Sequence, residues 1–225
     1  MRVAIIDDGL NPGYAPIPPI AARYTHGPDG VLAPCRSSCD TSSHGTVCAA
    51  VLGSICPDVQ LVDIRILDAY GAAPIGHLLS ALAWCRMNDV QIVHMSLGTL
   101  NYHDMQMLVP EIEALLKNGI YIIAAFHNSN IVSWPAGMPG VFGVRCDRGT
   151  VLGKGEFAVD ADTKFPVENR LIASPPLTIP ASNAAAAISV KAAFLLSAFF
   201  NVSFFVRSAL FLVFMIFPPL FHLYI

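Results

Sequence analysis

The sequence has few charged residues: they make up 13% of its 225 residues, against about 25% in a typical soluble domain. Apolar residues make up 54%, which excludes intrinsic disorder, because disorder requires low hydrophobicity and high net charge. The net charge is −3 and there is no run of basic residues, so we expect no nucleic-acid partner. The sequence contains no dense acidic loop typical of calcium sites, and we predict neither a metal nor a cofactor.

A recognisable secretory signal is also missing. Met1–Ile6 leads directly into two aspartates, without a small-residue cleavage site. We therefore expect a cytoplasmic protein whose six cysteines stay reduced and serve mainly as small buried apolar residues. Cys35 and Cys39 lie near His44, but their spacing matches no strong zinc-binding pattern.

Short apolar runs alternate along the chain with longer amphipathic stretches. Five runs rich in Val and Ile are typical of parallel strands covered on both faces: Val3–Ile6, Leu61–Leu67, Gln91–Met95, Ile120–Ala125 and Val141–Val144. Apolar positions three and four apart predict helices over Ile75–Met87 and Tyr102–Lys117. This alternation predicts an α/β fold with a parallel sheet. Residues 11–43 and 145–180 lack periodicity and are predicted to be long functional loops.

Residues 199–225 are predicted to form a hydrophobic tail outside a domain that spans residues 1–198. Seven phenylalanines lie between Phe199 and Phe217, and Pro218-Pro219 ends any helix there. This run is close to the roughly 20 residues that a membrane span needs, but Arg207 near its middle would cost about 2.5–3.5 kcal/mol. We therefore expect the tail to be covered by the domain, by a partner subunit or by lipid. Coverage by lipid would associate the protein with a membrane.

Polar residues follow the predicted strands where a parallel sheet gathers its functional groups. Asp7 ends the first strand, Ser96 follows the strand Gln91–Met95, and Asn128 follows the strand Ile120–Ala125. His44 opens an Ala-rich stretch, and Ser182 precedes a run of alanines. Both positions are typical of helix starts.

In this order, the motifs resemble those of the subtilisin-like serine proteases (subtilases, peptidase family S8). The matching residues are Asp7-Asp8-Gly9, His44-Gly45-Thr46, the substrate-binding Ser96-Leu97-Gly98, the oxyanion residue Asn128 and, more loosely, the nucleophile Ser182. The resemblance covers residues 2 to about 197. It implies a subtilisin-like three-layer fold with a mainly parallel central sheet and helices on both faces.

The resemblance further implies a serine endopeptidase that cleaves a peptide or protein substrate through an acyl-enzyme intermediate. Ser182 would be the nucleophile, His44 the base that takes its proton, and Asp7 the acceptor that orients the imidazole. Asn128 and the backbone N–H of Ser182 would stabilise the oxyanion. The substrate would pair with Ser96–Gly98, an exposed strand edge.

A second predicted substrate-binding segment consists of Ala125, Phe126 and His127. His127 replaces a glycine of the family, so we expect the specificity pocket to be narrower or to have a polar wall. Asp8 directly follows Asp7, and neighbouring side chains on a strand point to opposite faces. We therefore expect only one of the two aspartates to reach His44, with Asp8 shaping the turn.

The surroundings of Ser182 depart from the family pattern. Pro180-Ala181 replaces the usual Gly-Thr before the nucleophile, and Asn183–Ala187 replaces the usual Met-Ala-Ser-Pro-His after it. These changes leave an alternative open, namely a catalytically degenerate protein of the same fold that binds peptides without cleaving them. Labelling with a serine-directed reagent distinguishes the two.

Overall fold

The computed structural model describes residues 1–27, 29–36, 44–55, 57–127, 131–147 and 156–160. Asn128, Ser182, the tail 199–225 and the domain boundary expected at residue 198 all lie outside these residues. None of the helices in the described ranges combines the length and apolar character needed to cross a membrane.

The described part of the chain contains eight strands and three helices. In chain order they are β1 Arg2–Asp7, β2 Ile20–His26, β3 Leu32–Pro34, α1 His44–Ile55, β4 Gln60–Arg65, α2 Ile75–Met87, β5 Ile92–Met95, α3 Tyr102–Lys117, β6 Tyr121–Ala125, β7 Phe142–Asp147 and β8 Glu156–Asp160. The strands form one sheet in the order β3-β2-β4-β1-β5-β6-β7-β8. Neighbouring strands pair in parallel, except β2 with β3, which pair antiparallel.

The side chains of β1 alternate between two hydrophobic cores, one on each face of the sheet. Val3 and Ile5 belong to the core that contains Cys48, Ala49 and Leu52 of α1. Ala4 and Ile6 belong to the other core, which contains Leu78, Leu82, Leu108 and Ile112 of α2 and α3. Because successive side chains leave a strand on opposite faces, the sheet lies between two helical layers. The predicted α/β class, with helices on both faces, is confirmed.

The two helices predicted from periodicity have the bounds that the structure shows, Ile75–Met87 and Tyr102–Lys117. The five predicted strands are present, with ends that differ by a few residues. The prediction of structureless loops was wrong in two regions. β2 and β3 lie within residues 11–43, and β7 and β8 extend into residues 145–180.

The physical reason is that pairing with neighbouring strands of the sheet forms these elements. β2 carries mixed side chains that are mostly half-buried, and it pairs with β3 and with β4, which lies about 40 residues away. β8 pairs with β7 at the other end of the sheet. A strand at or next to the edge of the sheet need not be apolar, so no local period marks it.

Candidate active site

Asp7 and His44 form a hydrogen-bonded pair at the carboxyl end of the sheet. Asp7 is the last residue of β1 and lies, like Ile5, on the side of the sheet that faces α1, whose first residue is His44. Nδ1 of His44 lies 2.8 Å from Oδ1 of Asp7. A carboxylate can only accept, so Nδ1 carries the proton and Nε2 of the neutral ring keeps its lone pair. The pair has the form of a base with its orienting group.

The two members of this pair differ in their access to water. The Asp7 side chain is 1% exposed, whereas that of His44 is 21% exposed. Oδ1 of Asp7 also accepts the backbone N–H of Asp8 at 2.8 Å, which holds the carboxylate in place. A fixed, buried carboxylate behind an accessible imidazole suits proton transfer to and from a bound molecule.

Asp8 reaches His44 as well, so the expectation that only one aspartate would do so was wrong. Its carboxylate accepts the backbone N–H of His44 at 3.3 Å and that of Gly45 at 2.8 Å. The alternation of side chains holds only within a strand, and β1 ends at Asp7. Asp8 already lies in the turn and is free of that rule.

The two predicted substrate-binding segments lie side by side, because β5 and β6 are neighbours in the sheet. Ser96, Leu97 and Gly98 follow β5; Ala125 ends β6, and Phe126 and His127 follow it. Gly98 is exposed, and a Cβ there would lie only 2.8 Å from the carbonyl oxygen of Trp134. The backbone therefore approaches closely at a position that only glycine fits.

Ser133 lies between these two segments, although its sequence context carries no signal for such a position. It is 2% exposed, and its Oγ accepts the backbone N–H of His127 at 2.9 Å. The same Oγ lies 3.7 Å from where a Cβ of Gly98 would be. A buried hydroxyl thus fixes the backbone of the second segment next to the first.

His94 occupies the interior of β5 and contacts Ser96. It is 1% exposed, and its Nε2 lies 3.0 Å from Oγ of Ser96. Burial lowers the pKa of His94 to about 4, so the ring is neutral near pH 7. Its Nδ1 is buried without a hydrogen-bond partner among the described residues, which favours the proton on Nε2 as donor to Ser96. The sequence signal for this residue was a lone histidine inside an apolar strand.

Cys48 completes the surroundings of the pair on the α1 side. Its Sγ lies 3.6 Å from Oγ of Ser96, and it follows His44 by about one helical turn. The atoms that could bind a metal ion, one each from Asp7, His44 and Cys48, lie within 4.8 Å of one another. Burial, followed by the charge of Asp7, raises the pKa of the Cys48 thiol well above its usual value.

A parallel sheet lies between helical layers, and Asp7 and His44 pair where a strand ends and a helix begins, which is the arrangement of a subtilisin-like α/β fold. No family model matches the chain. It is 27% identical over 164 residues to the minor extracellular protease Epr of Bacillus subtilis (strain 168), an alignment that covers 64% of this chain and 23% of that protein. It is 24% identical over 159 residues to subtilisin E of the same organism, covering 64% of this chain and 40% of the relative.

Solved structures show the same likeness. A lanthipeptide protease superposes with a TM-score of 0.52 at 19% identity, covering 64% of this chain and 47% of the other. A cold-adapted subtilisin-like serine proteinase superposes with a TM-score of 0.51 at 21% identity, covering 64% and 53%. The resemblance to subtilisin-like serine proteases is confirmed, and so is the fold. The chain spans at most about half the length of these relatives.

The assignment of the complete site stays a prediction. The structure brings Asp7 and His44 together and sets the segments Ser96–Gly98 and Ala125–His127 side by side. Ser182 and Asn128 lie outside the described residues.

Proposed function

We propose that this chain is a serine endopeptidase that hydrolyses peptide bonds of a peptide or protein substrate. The observation that supports it best is the 2.8 Å contact between Asp7 and His44 at the carboxyl end of a subtilisin-like sheet. Nε2 of His44 takes the proton of the Ser182 hydroxyl, whose oxygen attacks the substrate carbonyl. The proton then passes to the leaving amine, and water hydrolyses the acyl-enzyme.

In this proposal the segments after β5 and β6 hold the substrate. An extended peptide adds to the exposed backbone of Ser96–Gly98, which fixes its register through main-chain hydrogen bonds. His127 is exposed, and its backbone is held by Ser133, so its imidazole forms a polar border of the pocket. The amide of Asn128 stabilises the oxyanion.

Labelling with a fluorophosphonate tests the reaction. We expect one adduct per chain, mapped by mass spectrometry to Ser182, and no adduct in Ser182→Ala or His44→Ala. Ser80→Ala is the matched control, because Oγ of Ser80 also contacts an imidazole, at 2.6 Å from Nε2 of His26. This variant should label like the native chain.

The labelled and unlabelled proteins are then tested for cleavage of substrates. One structural neighbour is described as a lanthipeptide protease, so we include a lanthipeptide beside denatured protein. Cleavage that disappears on labelling supports the proposal. Peptide binding without adduct or cleavage in the folded native chain overturns it in favour of the degenerate, peptide-binding alternative.

A further inference from the structure

Asp8 bonds to the start of α1 from 36 residues away in the sequence. Its Oδ2 accepts the backbone N–H of His44 at 3.3 Å, and its Oδ1 accepts that of Gly45 at 2.8 Å. The first N–H groups of a helix have no partner within the helix. A carboxylate at this end satisfies them and is also favoured by the helix dipole.

The fit between β1 and α1 at this point is tight. A Cβ at Gly45 would lie 3.0 Å from the carbonyl oxygen of Gly9, 3.1 Å from Cβ of Asp7 and 3.1 Å from Oδ1 of Asp8. Residue 45 must therefore be small for the Asp8 carboxylate to reach the backbone of α1.

Keeping the Asp8 carboxylate charged costs free energy, because the residue is only 6% exposed to solvent. Burial, followed by the neighbouring charge of Asp7, raises its pKa to about 6, against the opposing effect of the two N–H groups and of His44. It also faces Cys48 on α1 and Asp63 on β4, whose pKa values its charge helps to raise. A buried carboxylate that accepts the backbone N–H groups of both His44 and Gly45 does more than shape the turn after β1.

We infer that Asp8 is a positioning residue for the proposed peptidase reaction: its carboxylate holds the backbone of His44 so that the imidazole faces both Asp7 and the substrate. Asp7 orients the ring through Nδ1, and Asp8 anchors the main chain that carries it. This inference rests on the proposed function, because the geometry it protects is that of the base.

Activity and stability should respond to Asp8 in opposite directions. The folded state binds the Asp8 proton more tightly than the unfolded chain does. The stabilising contribution of this group is therefore complete below about pH 4 and is lost as the pH rises through about 6. The permanently neutral Asp8→Asn should be at least as stable as the native chain at pH 8. Its amide offers one acceptor to two N–H groups, so His44 is held less well.

The test compares the native chain with Asp8→Asn and Asp8→Ala at pH 8, with Asp89→Asn as control at the opposite end of the strands. We expect kcat per titrated active site to fall about tenfold in Asp8→Asn and about 100-fold in Asp8→Ala, with KM within about twofold, because small misplacements of a catalytic group have effects of this size. The acid limb of the pH profile should become less steep in Asp8→Asn. Parallel losses of kcat and melting temperature in Asp8→Asn, or an unchanged kcat, overturn the inference.

A second measurement separates this inference from the proposed function. Amide hydrogen exchange at His44 and Gly45, followed by NMR, should be at least about tenfold faster in Asp8→Asn than in the native chain and unchanged in Asp89→Asn. If the native chain cleaves nothing, the proposed function fails. The exchange rates and the Nδ1–H resonance of His44 still show whether the Asp8 carboxylate holds the backbone of His44. Equal protection and an unchanged resonance in a folded Asp8→Asn show that Asp8 does not position His44.

Discussion

Replacing Asp7 with asparagine should abolish most of the turnover while leaving the shape of the site almost unchanged. Oδ1 of Asp7 accepts two N–H groups, from His44 and from Asp8, each at 2.8 Å. An asparagine that keeps its oxygen there preserves both bonds and loses the charge. One that turns its amide toward His44 forces the ring proton onto Nε2, where it blocks the base. The first arrangement removes the charge that stabilises the imidazolium. The second removes the lone pair of Nε2 that accepts the proton of the nucleophile.

The size of the effect follows from the distance between the two groups. Two unit charges 2.8 Å apart attract by about 6 kcal/mol at an effective dielectric constant of about 20. In the proposed reaction the imidazolium forms only as the proton leaves Ser182, so this attraction acts in the transition state. Because the His44 side chain is 21% exposed, water screens part of it. At about 1.36 kcal/mol per factor of ten, we expect kcat to fall about 10³- to 10⁴-fold.

Steady-state kinetics on a cleaved peptide, normalised by active-site titration, measure this loss. KM should stay within about twofold, since neither arrangement touches the substrate-binding segments. Asp89→Asn, which changes an exposed carboxylate bonded to Gln91, serves as the control. A loss below about tenfold in a folded Asp7→Asn protein refutes the electrostatic reasoning. A raised KM with unchanged kcat assigns Asp7 to substrate binding instead.

Three further perturbations address other parts of the chain. Asn128→Leu should keep KM and lower kcat by about 10²- to 10³-fold; steady-state kinetics check this, and a rise in KM alone would mark a binding residue. His94→Leu removes the donor to Ser96 and should lower the free energy of unfolding in urea by about 1–2 kcal/mol, whereas an unchanged midpoint would show that the bond is dispensable. Deleting residues from Phe199 onward should improve solubility without loss of fluorophosphonate labelling. If the shortened chain unfolds while the full chain is monomeric without detergent, the tail belongs to the core.

Local sequence patterns were enough to predict the central strands and two of the helices. β1 and β5 are buried on both faces, so their interior residues are apolar except for His94 of β5, and α2 and α3 end at asparagines after regular apolar spacing. The resemblance to subtilisin-like proteases, carried by several motifs in one order, singled out Asp7 at a strand end and His44 at a helix start. These patterns lie within single strands and helices, because the buried faces of each element determine which of its residues are apolar.

The outer strands of the sheet and the surroundings of His44 could be recognised only in the folded chain. β2 is extended because its backbone forms hydrogen bonds with β4, and the composition of β2 does not indicate that partner. Asp8 contacts His44 and Gly45 across 36 residues, in a turn where the alternation of strand side chains no longer applies. Oγ of Ser133 accepts the backbone N–H of His127, six residues earlier, in a stretch whose sequence carries no signal for that contact. Hydrogen bonds between distant residues depend on distances that only packing sets, so sequence supplied the reactive groups and tertiary structure decided what holds each of them in place.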